Sequence, residues 1–325
     1  MRNELSLRAP RRLRKRKGTI LVALDSDGTV FDSMTSKHEK GFSRAFVSRF
    51  GEGESEEALA EVWRFVNLRS RSRGANRYKA LALSLRLLPS HPGIGKARLL
   101  WTRTADALEA WLATEPAPTR ATLESAISAY DSRQAGIAGK NSPSVGRDGS
   151  GRRKNYLAEI LGFSLEADAA IAALPPSEAF ENAASFVPRL AEKAELMVLT
   201  AAPEAVASGE WSRAGLLRHI GSVSGQERGP KAQALSMARA DLVSKGASVE
   251  GARVLVVGDA LGDLEAARAN SAAFFPIVPG REEESWERFS SSGFEDFVAG
   301  KSGSGGGLLA AFLDALPLLP PWKKG

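Results

Sequence analysis

Thr19-Ile20-Leu21-Val22-Ala23-Leu24-Asp25-Ser26-Asp27-Gly28-Thr29-Val30-Phe31-Asp32 is a short apolar run that stops at two carboxylates spaced i, i+2, with a glycine directly behind them. The run does not alternate apolar with polar residues, so it predicts a strand buried on both faces of a parallel sheet. The carboxylates then sit just past its C-terminal end, the edge at which open α/β sheets bind ligands. In extended chain Asp25 and Asp27 project to the same side. Like charges that close repel unless a cation lies between them or one is protonated. The pair therefore asks for a metal, a proton, or both. Read for local conformation alone, Asp27-Gly28 is also ordinary turn chemistry.

Outward from this stretch the pattern changes at once. From Ser33 the periodicity is helical, and residues 34–50, 54–66, 76–88, 96–112, 119–130 and 155–161 read as helices separated by Ser, Thr, Pro or Gly. No buried strand is expected among them. Residues 139–151 are too polar and glycine-rich to pack and read as a loop or linker. After Pro175-Pro176 strands return. A helix over 177–193 leads to a strand at 196–199 that ends in Thr200. A helix over 204–217 and a short strand near 220–223 follow, and Lys231 opens a helix over 232–243. A strand at 253–257 ends in Gly258-Asp259, and a helix over 263–269 leads to a strand at 273–277. Pro276 places that last strand near the sheet edge. Strands alternating with helices of this length imply a parallel sheet with right-handed crossovers.

The expected fold is therefore α/β: a Rossmann-like, doubly wound parallel sheet core formed by residues 18–33 and 177–325. An all-helical cap, residues 34–176, interrupts it. An insertion of that kind is tolerated when both its ends lie at one exposed loop. Residues 279–282 read as a turn before an acidic helix, 302–307 as a loop, and 316–322 as a tail packing on the core.

The chain has 325 residues, 43% of them hydrophobic and none of them cysteine. That excludes disulfides, thiolate metal sites and cysteine nucleophiles, and it leans towards a reducing, cytoplasmic setting. The net charge of +6 is concentrated at the start: residues 1–17 carry eight positive charges against Glu4, and the remainder of the chain is at −1. The body thus has no charge to attract nucleic acid, and only the basic tail could touch it. A disordered, solubilising arm is the plainer reading of that tail. No apolar run of about 18 residues occurs, so no membrane span is expected.

Four elements together resemble the signatures of the haloacid dehalogenase-like hydrolases, most of which are phosphatases. Asp25-Ser26-Asp27-Gly28-Thr29 is similar to the first. Thr200 at a strand end resembles the second, Lys231 at a helix start the third, and Gly258-Asp259-Ala260-Leu261-Gly262-Asp263 the fourth. The resemblance covers residues 19–33 and 195–275. Each element has an ordinary alternative, and Asp263 in particular could simply cap its helix. Their order and strand context carry the resemblance.

The resemblance implies Mg²⁺-dependent hydrolysis of a small phosphorylated metabolite. Asp25 would be the nucleophile that forms an aspartyl-phosphate, and Asp27 the acid and base. Lys231 and Thr200, with the Ala201 amide, would bind the phosphate. It implies a metal held by the Asp25 carboxylate, the Asp27 backbone carbonyl and Asp259, with Asp263 holding a metal-bound water or the metal itself. Dehalogenases of the family lack an acid where Asp27 stands, which favours ester hydrolysis. A phosphomutase of the same fold and a catalytically idle binding protein are the rivals. In the cap, Arg69-Ser70-Arg71-Ser72-Arg73-Gly74-Ala75-Asn76-Arg77-Tyr78-Lys79 holds five cations in eleven residues. Arg73 and Arg77 either grip a second anionic group of the substrate or lie on a solvated helix end. Trp63 and Trp101 read as core, and His38, His91 and His219 have no ligand spacing.

Overall fold

The computed structural model describes residues 19–96, 98–136, 145–147, 153–246, 253–301 and 306–323. The basic segment 1–17, most of the stretch 139–151 and residues 302–305 lie outside the described residues. The first strand, β1 (Leu21–Leu24), is fully buried, as its unbroken apolar run requires. The chain then enters helix after helix. A first turn α1 (Met34–Ser36) passes through a π-helical segment, Lys37–Phe42, into α2 (Ser43–Phe50). Then come α3 (Glu56–Leu68), α4 (Arg77–Leu87), α5 (Leu99–Leu112) and α6 (Arg120–Gly136). Sequence dictates several of the boundaries. The Ser55 side chain accepts from the Ala58 amide at the start of α3, and the Asn76 side chain accepts from the Tyr78 amide at the start of α4.

The helical insertion is not wholly helical. Two three-residue strands, β2 (Val145–Arg147) and β3 (Arg153–Asn155), pair antiparallel before α7 (Tyr156–Ala172). No periodicity can show in three residues, and β2 falls inside the stretch that composition marks as a linker. The Asn155 side chain then caps α7, which continues well past the predicted end at residue 161.

After α8 (Glu181–Lys193) the sheet resumes with β4 (Glu195–Leu199), α9 (Glu204–Arg213), β5 (Ser222–Ser224), α10 (Lys231–Ser244), β6 (Val254–Gly258), α11 (Leu261–Ala269) and β7 (Ala273–Pro276). Short helices α12 (Glu282–Arg288) and α13 (Phe294–Val298) and then α14 (Gly306–Ala315) complete the chain. The five core strands are all parallel in the order β5-β4-β1-β6-β7. β1 is central, with Leu24 opposite both Val198 and Val257. Pro276 ends the edge strand β7, where a missing amide costs no ladder bond.

Two large apolar clusters follow this division. One gathers the sheet residues Val22, Leu24, Val198 and Val257 with Trp211, Trp286, Phe289 and Phe312. The other lies wholly within the helical insertion and centres on Phe46, Phe50, Trp63, Trp101 and Phe163. Trp63 and Trp101 are core residues, as expected. The tail at 316–322 divides its packing. Leu316 joins the sheet cluster, but Trp322 packs against the insertion. Its ring meets His91 at 4.7 Å and Phe65 at 5.6 Å between centroids. Expected on the core, Trp322 lies on the helical side because an apolar notch at Phe65, Val66 and Ala80 is there to bury it.

Candidate active site

β1 stops at Leu24, but Asp25 still bonds the sheet, its amide donating to the Val257 carbonyl at 3.0 Å. The chain then turns back on itself. The Ser26 carbonyl accepts from the amides of Val30 and Phe31, both at 3.0 Å, and the Gly28 amide donates to Phe31. Two buried indoles pin this turn. Trp211 donates to Ser26 Oγ at 3.0 Å and Trp286 to the Thr29 carbonyl at 2.7 Å. Gly28 has φ of +75°, and a Cβ there would overlap Asp259 Oδ2 and lie 2.6 Å from Arg73 Nη2. Only glycine satisfies both demands.

The turn brings three acids together. One oxygen from each of Asp25, Asp259 and Asp263 lies within 4.8 Å of the others, and all three residues are buried. Lys231, the first residue of α10, bridges two of them, with Nζ 2.8 Å from Asp25 and 2.7 Å from Asp263. Asp263 is not the cap of α11. It stands three residues after the capping position, Ala260, and accepts that residue's amide at 3.1 Å. Asp259 accepts the Thr29 hydroxyl at 3.2 Å on one oxygen. Its other oxygen takes Arg73 Nε at 2.7 Å and Nη2 at 2.6 Å.

Burial pushes the Asp25 carboxyl well above the usual range, against the pull of Lys231 and with the help of Asp263 and Asp259. Burial raises Asp263 too. Burial would discharge Lys231, but Asp25 and Asp263 outweigh it and hold the ammonium charged. Three acids thus share two cations, a surplus of acid that the two cations do not hold fully ionised. That surplus and the all-oxygen donor set fit a hard divalent cation such as Mg²⁺.

The Asp27 carboxylate lies outside this acid cluster. Ser33 Oγ donates to it, and Lys37 Nζ lies 2.6 Å away. Any role for Asp27 at the metal therefore falls to its backbone carbonyl, the atom named from the resemblance. Lys37 also pairs with Glu210 at 2.7 Å. Burial pulls Asp27 upward, but the Lys37 charge and the bonds from Lys37 and Ser33 prevail and hold it below the usual carboxylate range. Burial and the neighbouring Asp27 push Glu210 up. Thr200 is 4% exposed, and its hydroxyl oxygen accepts the Ala202 amide at 3.1 Å, which leaves the hydroxyl proton to donate.

A cavity of about 900 Å³ opens over these groups. Asp25, Asp27, Thr200, Ala201 and Lys231 form its floor, and Phe42, Arg77, Tyr78 and Asp168 stand on the helical side. The two candidate arginines part company here. Arg73 is 6% exposed, is not part of the cavity wall, and is spent on Asp259 and on the Leu68 carbonyl at 3.1 Å. A buried carboxylate such as Asp259 needs a partner, and that need places Arg73 beneath the floor. Arg77 does reach the cavity, but it pairs with Asp168, which Arg120 shares at 3.1 Å.

The sequence reading missed Ser33, Lys37, Glu210 and Asp168. Lys37 had one legible signal, a cation ten residues after Asp27 at the start of the insertion. Glu210 had none, being the second of two acids on a helix with no strong apolar face. His38, given no chemistry, lines the cavity as a neutral imidazole, since burial pushes its pKa down to about 3.

No known family profile matches the sequence, and no curated protein matches it. Solved structures do. A haloacid dehalogenase-like hydrolase from Streptococcus pneumoniae is 13% identical at a TM-score of 0.40, covering 83% of this chain and 91% of its own. A predicted phosphatase from Clostridium acetobutylicum is 12% identical at 0.43, covering 87% and 98%. Protein tyrosine kinase A of Mycobacterium tuberculosis is 16% identical at 0.42, covering 81% and 86%. At these identities and scores the activity must be argued from the residues themselves.

Proposed function

We propose that this protein is a phosphatase of the haloacid dehalogenase-like type, hydrolysing a small phosphorylated metabolite through an aspartyl-phosphate on Asp25. The observation that carries this reading is the Asp25–Lys231–Asp263 bridge beside Asp259, at the floor of a cavity large enough for an ester. Phosphoryl transfer needs a nucleophile, neutralisation of the phosphate charge and a proton for the leaving group. Of the three clustered acids only Asp25 lines the cavity, and it is the nucleophile. Lys231 and the Thr200 hydroxyl, with the Ala201 amide, bind the phosphoryl oxygens.

Bound by Asp25, Asp259 and Asp263, Mg²⁺ would supply charge neutralisation between the phosphate and the acids. An Asp25 oxygen attacks phosphorus, and the bond to the ester oxygen breaks. That oxygen takes the Asp27 proton. Water then attacks the same phosphorus, gives its proton to Asp27, and Asp25 is released with inorganic phosphate. Lys37 keeps Asp27 ionised in the free protein. A dianionic phosphate placed beside it raises its proton affinity for the first step. The test is phosphate release from p-nitrophenyl phosphate with Mg²⁺ and with EDTA. Activity in wild type that is lost in Asp25→Asn supports the reading, and equal rates in the two proteins end it.

A further inference from the structure

The rims of this cavity have a chemistry of their own. Apart from Asp25 and Lys231, the charged residues lining it are five carboxylates and four cations. Two of those cations, Arg77 and Arg120, are held by Asp168, and Lys37 is neutralised twice over, by Asp27 and Glu210. Only Arg213, exposed on α9 at the rim, has no carboxylate within ion-pairing distance among the described residues, although its charge is felt by Glu210 one turn before it.

Beside Asp27, where an ester's alcohol would lie, the group Asp27–Lys37–Glu210 is negative by one. Glu210 is 5% exposed and lines the cavity, yet its second oxygen, Oε2, is buried with no donor among the described residues. So is Nδ1 of His38, the residue next to Lys37 of the same ion pair. A buried polar atom without a partner costs about 1–3 kcal/mol, which a hydroxyl reaching either atom from the cavity would recover.

From this we infer that Glu210 selects the alcohol: the substrate is a phosphate ester whose leaving group carries hydroxyl donors close to the ester oxygen and no second anion. The inference rests on the phosphatase reading above. A sugar or polyol monophosphate has this chemistry. Its hydroxyl donates to Glu210 Oε2, and a second hydroxyl meets the neutral His38. A leaving group with a carboxylate or a second phosphate would bring like charge against Asp27 and Glu210, with no free cation nearer than the rim. The cavity walls beyond are Phe42, Tyr78, Ile171 and Val206, apolar surface on which a sugar ring can lie.

The experiment compares kcat/KM for glucose 6-phosphate and glycerol 3-phosphate with that for phosphoglycolate and fructose 1,6-bisphosphate, in wild type and Glu210→Gln. The ratio between esters is read, since any effect of Glu210 on Asp27 through Lys37 applies to all of them. Wild type is expected to favour the two polyol esters by about tenfold or more, and the preference to shrink by about the same factor in Glu210→Gln. Preference for the carboxylate or bisphosphate ester, no preference, or a ratio unchanged in the variant would overturn the inference. The same ranking is read as binding to Asp25→Asn by calorimetry. Ranked binding without turnover of any ester by wild type would sink the phosphatase reading and leave the selectivity standing. If Glu210→Gln does not fold, the wild-type ranking alone decides.

Discussion

Arg73 gives the sharpest stability prediction. It lies in the loop between α3 and α4, and it crosses to the sheet to bind Asp259 through two nitrogens, both partners being nearly fully buried. Removing one partner of a buried, hydrogen-bonded ion pair costs about 3–5 kcal/mol, because the other charge is left unpaired in low dielectric. Arg73→Met keeps most of the volume and removes the charge. At roughly 2–4 °C per kcal/mol for a chain of this size, its Tm in EDTA should fall by about 6–20 °C. Mg²⁺ should then stabilise the variant more than wild type, since the ion replaces the missing charge on Asp259 and no longer shares it with a guanidinium. The affinity for Mg²⁺, read by calorimetry, should tighten by about tenfold or more, a factor worth roughly 1.4 kcal/mol and well below the Coulomb energy of one charge at 4 Å. Scanning calorimetry with and without the ion separates the two effects. An unchanged Tm in EDTA with unchanged or weaker Mg²⁺ binding would refute this account of Arg73.

Other outcomes follow from single contacts. His38 is half-buried and held neutral by desolvation, with its pKa at about 3, whereas the unfolded chain titrates it near 6.5. The unfolded state binds the extra proton, so stability should rise with pH across that window by about 1.4 kcal/mol per unit. His38→Gln should flatten the rise, amounting to roughly 2 kcal/mol between pH 5 and 6.5, and a parallel pH profile would contradict it. Trp322→Ala should lower stability by about 1–3 kcal/mol, as a half-buried aromatic lost from the notch at Phe65 and His91; urea unfolding reads it, and an unchanged midpoint would deny the packing. Gly28→Ala should fold with reduced stability and lose at least about 100-fold in phosphate release, because its Cβ must displace Asp259 or Arg73. Activity within threefold of wild type would show the turn to be more tolerant than its geometry implies.

The middle of the sheet was legible because its strands are short unbroken apolar runs: Leu21–Leu24 and Val254–Gly258 read as buried on both faces, whereas the edge strand Ser222–Ser224 carries no such signal. The carboxylates after those strands were legible for the same reason, since a strand end fixes where its next residue points. What could not be read was the partnering of charges. Arg73 and Arg77 look alike in a run of five cations, yet one is buried against Asp259 and the other pairs with Asp168 on the cavity wall. Sequence spacing says nothing about a contact across 186 residues. Glu210 reaches Lys37 across a similar gap. The π-helical turn at Lys37–Phe42 was also hidden, because its periodicity differs from an α-helix only over six residues. Trp322 misled for another reason. A C-terminal aromatic buries wherever apolar surface is open, and here that surface belongs to the insertion.

The most direct measurement asks where the phosphoryl group goes. The protein is mixed with a turned-over phosphate ester and Mg²⁺, quenched in acid within the first turnover, reduced with borohydride and digested, and its peptides are read by mass spectrometry. An acyl phosphate on an aspartate is converted to homoserine by that reduction. Homoserine at position 25, formed with ester and absent in EDTA, is the predicted result. Unmodified Asp25 throughout turnover, or homoserine at position 259 or 263 instead, would contradict it.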